Sequence, residues 1–199
     1  MYRVYGMALS GNCYKLKLAL TQLGLPFEWV EVDSVNGKTR TAEFKRLNPN
    51  MKVPVLQLLD GTLLPESNAG LWYLAEGSDL IPDGRLERAR VLQWMFFEQY
   101  THEPAIAVAR FIVAFKGNPP ELQAKLAECM VRGEHALKVM EQHLQQHPFF
   151  AADRYTIADN ALFAYTHTAE DGGFDLGRYP AIRAWLKRVT ETPNFVPMG

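Results

Sequence analysis

At 199 residues with 48% hydrophobic content, the chain can bury a full core in one or two domains, which excludes disorder and any need for metal or disulfide staples. Lys and Arg number 21 and Asp and Glu 22, so the net charge of -1 excludes a general attraction to nucleic acid or anionic membrane. Cys13 and Cys129 are the two cysteines, without metal-ligand spacing, and fit a reducing cytoplasm. The start, Met1-Tyr-Arg-Val-Tyr-Gly, does not read as a signal peptide, and no apolar run approaches the ~20 residues that span a bilayer.

Residues 2–7 read as a strand. Cys13, Leu16, Ala19, Leu20 and Leu23 then recur at helical spacing, with Gly24 as the stop. Pro26 opens an extended segment from Phe27 to Val32, and a polar loop leads to a short helix that ends before Asn48-Pro49. Val53 to Leu58 reads as a strand, Asp60-Gly61 as a hairpin turn, and Thr62 to Leu64 as the return. Ser67 is placed to cap a helix running to about Glu76. The order is βαβαββα. Ser78 to Gly84 reads as a linker, and beyond it the pattern is helical: Leu86 towards Phe115 with a bend or break at Pro104, Asn118-Pro119 to about Gln146, a helix opened by Thr156-Ile157-Ala158-Asp159, and one from Tyr179-Pro180 to Thr192-Pro193. The expected architecture is an α/β domain over residues 1–77 and an all-α domain over 85–199. No internal repeat or low-complexity segment is evident.

Ser10-Gly11-Asn12-Cys13 falls between the first strand and first helix, where free N–H groups and the helix dipole stabilise negative charge. In a thioredoxin-like fold this position carries Cys-x-x-Cys; here the first cysteine slot is Ser10. Such a site stabilises a thiolate without supplying an exposed one, which points to a bound thiol such as glutathione. The Ser10 hydroxyl and Asn12 amide could each donate a charge-assisted hydrogen bond worth about 1.5–3 kcal/mol, or serve only as helix caps. No base is apparent beside Ser10, which argues against a serine hydrolase. Cys13 lies on the apolar helix face and reads as buried and inert, with a monothiol oxidoreductase as the competing case.

Pro54 removes a ladder donor. A cis Val53-Pro54 bond would turn the Val53 backbone outward to pair with a peptide ligand, while an edge proline is the plain alternative. Glu66-Ser67 opens a helix where N–H groups and a hydroxyl could grip a carboxylate and Glu66 an ammonium, as in a γ-glutamyl end; a simple cap is the alternative. Lys52 could meet a second carboxylate. Thr156 and Asp159 have capping-box spacing, and Asn160 leaves Tyr155 without the usual apolar staple. Trp94, Phe96, Phe97, Tyr100, Phe111 and Phe115 suit core or subunit contacts. Met7, His102 and Phe111 are candidates to line an apolar pocket, although a solvated or capping role for His102 competes. The five histidines have no metal-ligand spacing, and no Gly-rich phosphate loop occurs.

Five segments in this order resemble the cytosolic glutathione S-transferase superfamily across nearly the whole chain: Ser10-Gly-Asn-Cys-Tyr-Lys15, Leu47-Asn-Pro-Asn-Met-Lys-Val-Pro-Val-Leu56, Glu66-Ser-Asn-Ala-Gly70, Thr156-Ile-Ala-Asp159 and Tyr179-Pro-Ala-Ile-Arg-Ala-Trp185. The resemblance implies a thioredoxin-like N-terminal domain, an all-helical bundle at the C-terminal side, glutathione as cosubstrate, a cis Val53-Pro54 bond and a homodimer. Ser10 matches the activating serine of theta and delta-like classes, and Asn12 the asparagine of bacterial nu-like members. Tyr5 lies within the first strand, away from the turn that a tyrosine-type enzyme would use. Thr39 and Met51 depart from glutathione-contacting residues of relatives, and Lys52 or Arg40 could compensate. The implied activity is thiolate addition to a small hydrophobic electrophile, a detoxification chemistry. Glutathione-dependent disulfide or peroxide reduction, and a non-catalytic interaction protein on the same scaffold, are the alternatives.

Overall fold

The computed structural model describes residues 1–198. The chain forms two compact units, the first comprising Met1–Ser78 together with the tail from Pro193, and the second Asp79–Thr192.

In the first unit the elements are β1 (Tyr2–Gly6), α1 (Gly11–Gln22), β2 (Phe27–Glu31), α2 (Ala42–Leu47), β3 (Val55–Gln57), β4 (Leu63–Pro65) and α3 (Ser67–Ala75). The sheet order is β2-β1-β3-β4. β1 runs parallel to β2 and antiparallel to β3, and β3 is antiparallel to β4. This is the thioredoxin-like arrangement that the βαβαββα order implied. Val4 and Leu56 face each other in register at the sheet centre, both fully buried. Leu16, Leu20 and Leu71 bring α1 and α3 into the same core. The two helices approach closely at Gly70, where an added Cβ would lie 3.0 Å from Leu16 Cδ2. β3 begins at Val55, two residues later than the sequence pattern, because Pro54 has no N–H to give the ladder.

The second unit is helical: α4 (Arg85–Phe97), α5 (Glu103–Arg110), α6 (Gln123–Leu144), α7 (Ile157–Thr166) and α8 (Pro180–Thr190). The expected long helix is divided by wide π-type turns at Glu98–His102 and Phe111–Phe115. Pro104 sits in the first turn of α5, where its missing N–H removes no helical bond. A short 3-10 turn at Pro120–Leu122 precedes α6, so Pro119 lies outside the helix it was expected to begin. The core is aromatic, with Phe150 against Trp94 (ring centroids 4.6 Å) and Trp185 (5.0 Å).

The first unit's main segment ends at Ser78, beside the expected 77, and the helical unit differs from the expected 85–199 at both ends. The segment read as a linker from 78 belongs to the helical unit from Asp79 onward: Ile157 N donates to Leu80 O at 3.1 Å, and Arg154 donates to the Asp79 carbonyl. The C-terminal tail belongs to the first unit, where Val196 O accepts from the Tyr14 hydroxyl at 2.7 Å and Pro197 O from Lys17 at 3.2 Å. Among the described residues no helix is long and apolar enough to cross a membrane.

Candidate active site

Ser10 precedes α1 in an extended conformation and caps it, its Oγ accepting from Cys13 N at 3.4 Å. Capping uses a lone pair and not the O–H, so the cap and thiolate-donor roles are compatible in one hydroxyl, although the same side chain also bonds the Cys13 thiol. Cys13 is fully buried, and Met7 N donates to its Sγ at 3.4 Å. Burial pushes its thiol up to about 11, against the smaller downward pull of the Ser10 and Met7 hydrogen bonds. At neutral pH it is a thiol packed under the helix, not an exposed nucleophile.

Asn12 Oδ1 accepts from the Ser67 hydroxyl at 3.0 Å, joining the N-terminal ends of α1 and α3. Ser67 is not the cap expected of it. It is the first residue of α3 and 4% exposed, while Glu66 occupies the cap position with no side-chain capping bond. Glu66 is exposed and has φ 72 and ψ 110, a strained backbone for a residue with a Cβ and one that recurs at ligand clamps. Beneath Ser67 lies a residue whose role the sequence reading missed. Lys15 is fully buried, and its Nζ donates to Ser67 Oγ at 3.4 Å and to Asn68 Oδ1 at 3.2 Å. The signal was present in the pattern: position 15 falls between Gly11 and Ala19 on the buried side of α1, one turn beyond Asn12.

The Val53-Pro54 bond is cis. Lys52 is exposed, Val53 half-buried and Pro54 buried. Asn48 is a second missed residue. It is buried, donates from Nδ2 to Lys52 O at 2.8 Å, and accepts from Asn50 N at 3.0 Å, which shapes the loop leading to Val53. Met51 is exposed with φ 54. Thr39 is buried in the 3-10 turn Lys38–Arg40 and so does not present itself to a ligand, whereas Arg40 is exposed.

Residues 9–76 match the glutathione S-transferase N-terminal domain and residues 105–193 the glutathione S-transferase C-terminal domain. A glutathione S-transferase-like protein of Fusarium sp, LUC7, is 30% identical over 96% of this chain and 89% of its own. The chain belongs to the cytosolic glutathione S-transferase superfamily. A crystal structure of a glutathione S-transferase from Pseudomonas fluorescens [Pf-5] superposes with a TM-score of 0.97 at 54% identity, covering 99% of this chain and 98% of that one. The disulfide-bond oxidoreductase YfcG of Escherichia coli (strain K12) is 28% identical over 94% of this chain and 89% of its own. Of the three residues expected to line an apolar pocket, Met7 lies in the first unit and His102 and Phe111 in the second. Met7 is half-buried, with the Ser34 hydroxyl 3.3 Å from its Sδ. Phe111 is exposed, stacked on Phe115, with Lys116 over its ring. His102 is fully buried inside the helical unit, its Nε2 3.0 Å from Thr166 Oγ1. It is not solvated; it stands at the N-cap position of α5 without a side-chain capping bond, and burial removes it from the candidate pocket lining.

Proposed function

We propose that this transferase binds glutathione along Lys52, Val53, Glu66 and Ser67, with the sulfur at Ser10 and Asn12, and adds the stabilised thiolate to a small hydrophobic electrophile. The observation that carries this reading is the Asn12–Ser67 hydrogen bond of 3.0 Å. It ties two helix N-termini together, one suited to a thiolate and the other to the carboxylate of a γ-glutamyl group. Val53 supports the peptide edge, and exposed Lys52 suits a carboxylate at the far end of the ligand. Thiolate stabilisation and proximity then supply the rate enhancement. The working compartment is the reducing cytoplasm.

Glutathione-dependent disulfide reduction is the second reading, supported by the likeness to the E. coli disulfide-bond oxidoreductase. In either reaction the attacking sulfur belongs to glutathione, because Cys13 is buried with its thiol raised. Conjugation, disulfide-reduction and peroxide-reduction substrates run side by side, in Ser10→Ala and Asn12→Ala as well as the unsubstituted enzyme, test the proposal. Each substitution should lower turnover about 10- to 150-fold at neutral pH, with much of the loss recovered at high pH where the thiol ionises unaided. Loss of activity in Cys13→Ser alone would reverse the assignment.

A further inference from the structure

Lys15 is a fully buried cation outside the contacts proposed for the glutathione sulfur. It reaches from the second turn of α1 to the first two residues of α3, so its charge adds to the positive potential of the helix N-termini. An ammonium has three donors and no acceptor. The Ser67 oxygen therefore accepts from Lys15, at 3.4 Å, and Asn68 Oδ1 accepts a second bond at 3.2 Å. A hydroxyl that accepts from a cation is polarised towards donating, and a further N–H donor at the same oxygen is repelled by the cation. The Ser67 proton accordingly goes to Asn12 Oδ1, at 3.0 Å. An amide is planar, with its oxygen and its NH2 on opposite edges. Fixing the oxygen against Ser67 turns the NH2 edge away from it.

We infer that Lys15 is the positioning residue of the thiolate site: acting through Ser67, it holds the Asn12 amide with its NH2 edge offered to the glutathione sulfur. A reversed amide would set its N–H groups against Ser67 and Lys15 and present a carbonyl oxygen to a thiolate, which is repulsive twice over. This inference rests on the reading of Asn12 as a thiolate donor. It adds which residue makes Asn12 a donor there, and it gives the buried lysine a consequence for the thiol that packing alone would not produce.

The experiment titrates enzyme-bound glutathione by the ultraviolet absorbance of its thiolate, alongside pH–rate profiles and thermal melts, for the unsubstituted enzyme, Lys15→Met, Asn12→Ala and Asn12→Asp. In Lys15→Met the bound thiol should ionise about one pH unit higher, with kcat/KM at neutral pH about tenfold lower and recovering at high pH. In Asn12→Asp an oxygen still meets Ser67, but the other edge has become an acceptor, so the thiol should ionise higher than in Asn12→Ala. A Lys15→Met enzyme that melts lower yet keeps the original thiol titration shows a purely structural lysine and overturns the inference. Should Lys15→Met not fold, Ser67→Ala at saturating glutathione decides, because it cuts the link from Lys15 to Asn12: a bound thiol that ionises as in the unsubstituted enzyme overturns it. Absence of any bound thiolate on the unsubstituted enzyme overturns the functional reading and this inference with it, whereas a normal thiolate there and an unshifted Lys15→Met overturn this inference only.

Discussion

Asp159, in the first turn of α7, is fully buried and accepts from Phe150 N at 3.1 Å, Trp185 Nε1 at 2.9 Å, Thr156 N at 2.9 Å and Thr156 Oγ1 at 3.1 Å. Burial outweighs these bonds and raises its carboxyl to about 6. A carboxyl raised in the folded state binds more protons than the unfolded chain between its ordinary value and about 6. Its contribution to stability is therefore fully present below that window and falls as pH rises through it, by roughly 3 kcal/mol in total. Urea unfolding of the enzyme and of Asp159→Asn between about pH 4 and pH 7 should show the enzyme losing ground to the variant as pH rises; parallel curves would refute this. Asp159→Ala should cost about 3–5 kcal/mol by leaving buried donors without their acceptor. The Thr156–Asp159 half of this arrangement was legible because it is local, a spacing of three residues. Its links to Phe150 and Trp185 were not, because a pattern read along the chain carries no record of which distant donors fold onto a carboxylate. Lys15 was hidden for the same reason: its partners lie on α3. Where the site depended on short motifs it was readable, and Ser67→Ala and Glu66→Ala should each weaken glutathione binding by calorimetry, the former by about tenfold or more.

The helices follow the apolar periodicity, and the departures from it have local causes. α1 begins at Gly11 rather than Cys13 because Ser10 caps it, so the polar residues at its start are helical. The wide turns at Glu98–His102 and Phe111–Phe115 leave no signature in hydrophobic spacing, and Pro104 drew the expected break to itself. Close approaches between elements are equally silent in the sequence. Gly133 on α6 is one: an added Cβ would stand 2.3 Å from Phe174 Cζ and 3.0 Å from Ile106 Cδ1, and Phe174 is itself buried. The gain in helix propensity from alanine, about 1 kcal/mol, competes with an overpacking cost of about 1–3 kcal/mol. Because the clash is with a ring confined by the core, the second term should win. Gly133→Ala is expected to lower the denaturation midpoint; a midpoint unchanged or raised would show that the ring can step aside.

At the scale of the whole molecule, α4 and the turn after it expose Leu92, Phe96 and Tyr100 at successive intervals of four, the last two 69% and 83% exposed. Large apolar side chains aligned on one helix face suit an interface, and we expect a homodimer in which the first unit of one copy faces the helical unit of the other. Light scattering at micromolar concentration should give a dimer, and Phe96→Glu with Tyr100→Glu should give a monomer. A dimer that survives both changes would place the interface elsewhere. The tail from Pro193 has a different kind of consequence. Since the chain leaves the first unit after Ser78 and re-enters it at Pro193, the helical unit is inserted between two anchor points. Were it to melt alone, it would remain a closed ring, held at one end by the continuous chain and at the other by the Tyr14–Val196 and Lys17–Pro197 bonds. A ring has fewer unfolded arrangements than a strand with a loose end. Ending the chain at Thr192 should thus speed hydrogen exchange of α7 amides by sub-global opening, although the residues removed belong to the other unit. An exchange rate unaltered by the truncation would mean that the two anchors let go together, and that the molecule melts as one.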